Sequence, residues 1–400
     1  MAFKFTTIAA QPSFAITTDT VELAITQLGG HMAPVTFYRD TTSPIQPYYI
    51  SSWQGEDIKE IRGSALEPLR GDFFCCPFGA GRYRGINYPS HGEPASAKWS
   101  FVESKREAWG VRLRMSLVSK LGSGEYHKHL FLRNGQNVVY SQNKIIGFSG
   151  PMNFSHHATL AMPEEQRSVH ITTSPFAFGM TFPIAPGRAA AGEYYHLAIN
   201  QKFKRLTRVP TIFKDPPIAD CSSMPGPRGY RDLFAVFCKP GEGVAWTTAV
   251  FENRGFLWFS LKDPRQMPET QFWADNRGRY GPPWNGRNNC LGIEDGCSYL
   301  ATGPAMSIRS NPVSRAGIPT FVRLSPKRPL VVNHIQGVVK VPPGFRRVKN
   351  VRFEPGRVTF VAVNGKRATT LVQHEFVFAG ESDAALEGLR THHSISIERS

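Results

Sequence analysis

The sequence predicts an all-β protein built as a large antiparallel sandwich, and three observations predict it. Glycine (36) and proline (31) punctuate the chain at short intervals. Between them lie short segments rich in β-branched and aromatic side chains, which suit a pleated, half-buried surface. Long helical periodicity is nearly absent, which argues against a parallel sheet of strand–helix–strand units.

In chain order, strands are expected over 21–28, 111–118, 129–133, 137–146, 244–251 and 256–261. Asn134-Gly135 supplies a hairpin turn between the third and fourth. After Val341-Pro342-Pro343-Gly344, strands are expected over 348–353, 357–363 and 368–378, with Asn364-Gly365 as a second hairpin turn. The chain therefore divides into a sandwich over 1–340 and a C-terminal hairpin extension over 341–400. The extension ends in a short helix over 382–389, for which Ser382 or Asp383 could serve as N-cap.

A length of 400 residues, with 41% hydrophobic and 20% charged, is globular rather than disordered. Lys and Arg total 47 against 31 acidic residues, a formal charge of +16 that attracts anionic metabolites or polyanions. The basic residues run from Lys4 to Arg399 without a block, which argues against a nucleic-acid stripe. No run is apolar enough to span a membrane and no secretory leader is visible, so a cytoplasmic location without membrane contact is expected. Cys75, Cys76, Cys221, Cys238, Cys290 and Cys297 form no CxxC pair and read as reduced core thiols.

Several motifs bear chemistry. The glycines at 79, 81 and 85 miss the GxGxxG spacing and precede no helix, so this segment reads as a tight loop in which Arg82 or Arg84 could line a substrate site. His127 and His129 fall on one strand face, a cupin-like metal pattern, but no carboxylate lies between 130 and 144 to complete it. His156 and His157 point to opposite faces of a strand, so one can enter a cleft as a proton donor. His91 lies on a loop after Pro89, where functional residues concentrate.

The densest stretch runs from Trp273, Asp275 and Asn276 through Trp284 and Arg287 to Glu294. Aromatic plates with amides, guanidiniums and carboxylates suit a sugar, whose C–H faces pack on rings and whose hydroxyls need planar partners. Strand alternation puts Glu294 and Gly292 on one face and Leu291 and Ile293 on the other. A carboxylate so placed can be partly desolvated and act as a base.

Taken in order, these segments resemble the aldose 1-epimerase, or galactose mutarotase-like, family over about residues 20 to 340. Gln27-Leu28-Gly29-Gly30-His31-Met32 resembles its early hairpin, and Cys76-Pro77-Phe78-Gly79 with His91-Gly92 resembles its Pro-Phe-Gly and His-Gly segment. Asn153-Phe154-Ser155-His156-His157 is similar to the Asn-x-Thr-x-His stretch, which aligns His157 with the catalytic histidine. Ile293-Glu294 resembles the strand bearing the catalytic glutamate, although Asp295 stands where that family usually has proline.

The resemblance implies a β-supersandwich and a cofactor-free isomerase. Glu294 would take the anomeric proton, His157 would protonate the ring oxygen, and His91 would position the acid. The family's binding arginine would be Arg82 or Arg84 and its acidic binding residue Asp275, while the aromatic and polar stretch itself offers Trp273, Asn276, Trp284 and Arg287 as substrate contacts. This chemistry needs Glu294 low and His157 high in pKa. The charge favours an anionic sugar derivative over a neutral monosaccharide. A non-catalytic sugar-binding protein on the same fold, a polysaccharide lyase or hydrolase, and a metal-dependent cupin are the rivals.

Overall fold

A computed structural model describes residues 5–241 and 243–380. The helix expected over 382–389 lies outside the described residues. Two antiparallel sheets face each other. The first has nine strands, in the order Ser223–Met224, Val169–Thr173, Ala245–Phe251, Phe256–Lys262, Leu330–Lys340, Val138–Ile146, Glu125–Arg133, Gly110–Val118 and Ser100–Glu107. The second runs Lys202–Phe203, Phe178–Thr181, Tyr230–Phe237, Glu269–Asn276, Asn289–Cys297, Phe154–His156 and Phe74–Cys75, with Ala158–Ala161 also paired to Asn289–Cys297. An N-terminal meander, Thr6–Ile8 to Met32–Phe37, packs into the same core.

Inward side chains of the two sheets interdigitate, with Leu113, Leu130, Trp258 and Val338 on one and Phe234, Phe272, Leu291 and Ile293 on the other. The nine-stranded sheet is covered on its outer face too. There Val351, Val358, Phe360 and Phe376 of the C-terminal segment meet Phe131, Tyr140, Leu257, Phe259 and Ile335. Two-sided burial explains why every residue of Phe256–Lys262 is buried and why the segment reads as a continuous apolar run without alternation.

The expected strands are present with shifted ends. The one expected at 129–133 begins at Glu125, which takes His127 and Lys128 into the ladder. The C-terminal segment forms the sheet Val348–Glu354, Arg357–Ala362, Arg367–Leu371. The strand expected over 368–378 stops early. Val372 N–H turns to the Gly356 carbonyl at 3.0 Å, and His374–Phe378 is a 3-10 turn that tucks Phe376 and Val377 into the core. All six cysteines are free and buried. Among the described residues no helix is long and apolar enough to cross a membrane.

Candidate active site

Glu294 stands on Asn289–Cys297, directly opposite Gln271 on Glu269–Asn276. Alternation turns Leu291 and Ile293 into the core and Glu294 into a cleft of about 570 Å³. Gln271 donates its amide to Glu294 Oε2, and its own Oε1 accepts the Ala301 N–H at 2.8 Å, which fixes the amide's orientation. Gly292 leaves room for the carboxylate, since a Cβ there would lie 2.6 Å from Glu294 Oε1.

His157 occupies the break between Phe154–His156 and Ala158–Ala161, where its N–H leaves the ladder for the Phe73 carbonyl at 2.9 Å. Its ring stacks on Phe73 with centroids 4.4 Å apart, and Nδ1 meets Thr159 Oγ1 at 3.2 Å. That leaves Nε2 facing Glu294 Oε1 at 3.3 Å. His91 reaches the site from its loop with φ 65°, its ring perpendicular to that of His157 at 5.0 Å. Gly92 has φ 75°, and a Cβ would lie 2.1 Å from the Cys76 carbonyl oxygen, so the loop needs glycine here.

Burial is the dominant electrostatic cause. It lifts Glu294 from 4.5 to about 8, opposed by the Gln271 hydrogen bond. It holds His157 well below 6.5, with His91 adding to the effect, and it lowers His91 to about 4. The expectation of a low glutamate and a high histidine is therefore reversed: desolvation penalises each charged form. Both groups are thus held in their neutral forms, with His157 Nε2 3.3 Å from Glu294 Oε1.

Of the other expected contacts, Trp273 and Trp284 line the cleft, ring centroids 5.7 Å apart and nearly perpendicular. The remainder lie elsewhere. Arg82 and Arg84 project to solvent from the hairpin Gly81–Tyr83, Ile86–Tyr88, and only Gly79 and Ala80 of that loop border the cleft. Asp275 accepts the Gly278 N–H at 3.0 Å, and it and Asn276 border a separate, largely apolar groove of about 300 Å³. Arg287 is engaged by Glu56 at 2.5 Å outside the cleft lining.

Sequence reasoning missed four contributors: Phe73, Gln271, Arg231 and Arg279. Arg231 borders the cleft, and Arg279 lies 4.3 Å over the Trp284 ring and 3.5 Å from Glu193. The alternation of Arg231 and Leu233 along Tyr230–Phe237 was the available signal. His127 and His129 do share a face, rings 6.4 Å apart, but among the described residues no group of three or more His, Cys, Asp or Glu is placed to hold a metal ion.

No family model and no curated protein matches the sequence. Solved structures do. A galactose mutarotase related enzyme from Lactobacillus acidophilus aligns at TM-score 0.52 and 12% identity over 82% of this chain and 97% of its own. A candidate aldose 1-epimerase from Escherichia coli K12 aligns at 0.54 and 11% over 82% and 99%. A candidate mutarotase from Salmonella typhimurium aligns at 0.54 and 10% over 85% and 97%. Likeness at such identities speaks to architecture, and with the two facing sheets it establishes that this chain folds as a galactose mutarotase-like β-sandwich.

Proposed function

We propose that the cleft interconverts the α and β anomers of a hexose or hexose derivative. The observation that carries this reading is the 3.3 Å approach of Glu294 Oε1 to His157 Nε2 inside a cleft walled by two tryptophans. Ring opening removes one proton from the anomeric hydroxyl and adds one to the ring oxygen, two atoms bonded to the same carbon. A buried carboxyl and a neutral imidazole 3.3 Å apart, one able to give a proton while the other takes one, are matched to that exchange.

Once a proton has passed from the Glu294 carboxyl to His157, Glu294 takes the hydroxyl proton while His157 protonates the ring oxygen. The bond from the anomeric carbon to the ring oxygen breaks and the aldehyde forms. Rotation about the bond between the first two carbons presents the other carbonyl face, and the same two transfers run backwards to close the ring. His91 packs against the His157 ring and borders the substrate. Assistance of this kind contributes about 10²- to 10⁴-fold. No cofactor enters this scheme.

Arg231 and Arg279 bring guanidiniums to the cleft wall, where Glu193 lies beside Arg279 and where Asp275, Glu193 and Asp232 all act on Arg231. Together with the charge of +16 this favours a phosphorylated or uronic sugar. The test is exchange NMR of anomer interconversion over hexoses and hexose phosphates, with Glu294→Gln and His157→Asn as controls. Acceleration lost in both variants supports the reading, as does a preference for anionic sugars that weakens with salt. Ligand-induced shifts without acceleration on any sugar refute turnover, and equal rates on neutral and anionic sugars refute the charge preference.

A further inference from the structure

The segments that supply the reactive face share a pattern that the proposed chemistry leaves unused. Phe73, His157 and Glu294 enter the cleft, and each has a sequence neighbour, Asp72, His156 and Asp295, buried in a polar cluster behind it. Asp295 Oδ1 accepts from Lys262 Nζ and Thr270 Oγ1, both at 2.6 Å. Its Oδ2 accepts from Ser260 Oγ at 2.7 Å and faces His334 Nε2 at 3.0 Å. The His334 ring stacks on that of His156 at 4.3 Å. His156 Nδ1 meets Asp72 Oδ2 at 3.0 Å, and Asp72 Oδ1 accepts the backbone N–H of His157 at 3.2 Å.

Strand register gives this chain of contacts a purpose. Phe154–His156 pairs with Asn289–Cys297 at Phe154↔Cys297 and Ser155↔Gly296, and pairing resumes at Ala158↔Ile293. The two positions skipped are His156 opposite Asp295 and His157 opposite Glu294. The backbone ladder, which elsewhere fixes the distance between opposed residues, is interrupted at the reactive pair. A second route joins the same positions from behind, through His334 on a strand of the facing sheet. Burying so many polar groups gives little net stability over an apolar core of the same shape, so their worth lies in fixing geometry.

We propose that Asp295, His334, His156 and Asp72 form a positioning bridge that replaces the missing ladder pairs and sets the separation of Glu294 from His157. This rests on the function proposed above. Lys262 and Thr270 hold the Asp295 end, and none of these side chains touches substrate.

The test compares two substitutions in the full chain. His334→Phe keeps a ring against His156 and loses the bond to Asp295; His334→Gln keeps a donor for Asp295. The expected result is a fall in kcat of about 10- to 100-fold for His334→Phe with KM nearly unchanged. A shift of the His157 ring resonances should accompany it, with both effects largely restored in His334→Gln. A folded His334→Phe protein with wild-type kcat and wild-type His157 resonances overturns the bridge, as does an equal loss in both variants. If His334→Phe does not fold, the near-isosteric Thr270→Val carries the same expectation and the same refutation. Should the wild type accelerate no anomer exchange, the functional reading fails, while the His157 resonances in these variants still decide the bridge.

Discussion

Replacing Glu294 by glutamine should abolish turnover and, at the same time, stabilise the protein increasingly as pH rises. Burial raises the carboxyl from 4.5 to about 8. Because the folded value lies above the unfolded one, ionisation above about pH 4.5 favours the unfolded chain, and that penalty grows until the pH passes the folded value. Each unit of separation is worth about 1.4 kcal/mol, so the wild type should lose roughly 3 kcal/mol relative to the glutamine variant between about pH 5 and about pH 8. Unfolding entropy of about 2.1 cal/mol/K per residue converts this into a Tm gap that widens by about 3 to 4 °C over that range. The low value of His157 costs stability as pH falls below 6.5 in both proteins, so it largely cancels from the difference. Paired thermal melts across that range provide the assay. A gap that stays constant or narrows with rising pH would refute the claim that the carboxylate is desolvated.

Three further outcomes are expected. Gly292→Ala should lower kcat by about 10²-fold with little loss of fold, because the added Cβ would lie 2.6 Å from Glu294 Oε1 and 3.1 Å from the Trp273 Cβ; single-turnover kinetics with a melt checks both halves. Trp284→Ala should weaken sugar binding by about tenfold, measured by titration calorimetry, since the indole is both a cleft wall and the platform for Arg279. A thiol reagent should modify none of the six buried cysteines in the native protein and all six in denaturant; a rapidly reacting native thiol would contradict their burial.

Much of the fold was legible because turn residues and strand composition are local signals. Asn134-Gly135 marked its hairpin, and alternation around Glu294 located the face it presents. What stayed hidden depends on contacts between distant segments. Nothing near Asp275 announces that its carboxylate caps the Gly278 turn, and nothing near Arg287 announces Glu56 as its partner, 231 residues away. Arg231 and Arg279 reach the cleft only after their strand and loop are folded beside Trp284. The pKa reversal is likewise a property of the assembled core. A carboxylate on a strand face can be solvated or dry, and only the surrounding Phe73, Trp273 and Gln271 decide which.

The order in which the chain is made adds a constraint to the layering. The outer face of the nine-stranded sheet is composed of residues from 131 to 339, while its cover comes from residues after 345. On the ribosome, that aromatic face exists as chain well before Val358, Phe360 and Phe376 have emerged to shield it. The cleft residues, all complete by Thr302, can therefore be synthesised long before the structure that carries them can close. Until those covering residues emerge, the nascent chain is a natural client for chaperones that shield exposed apolar surface.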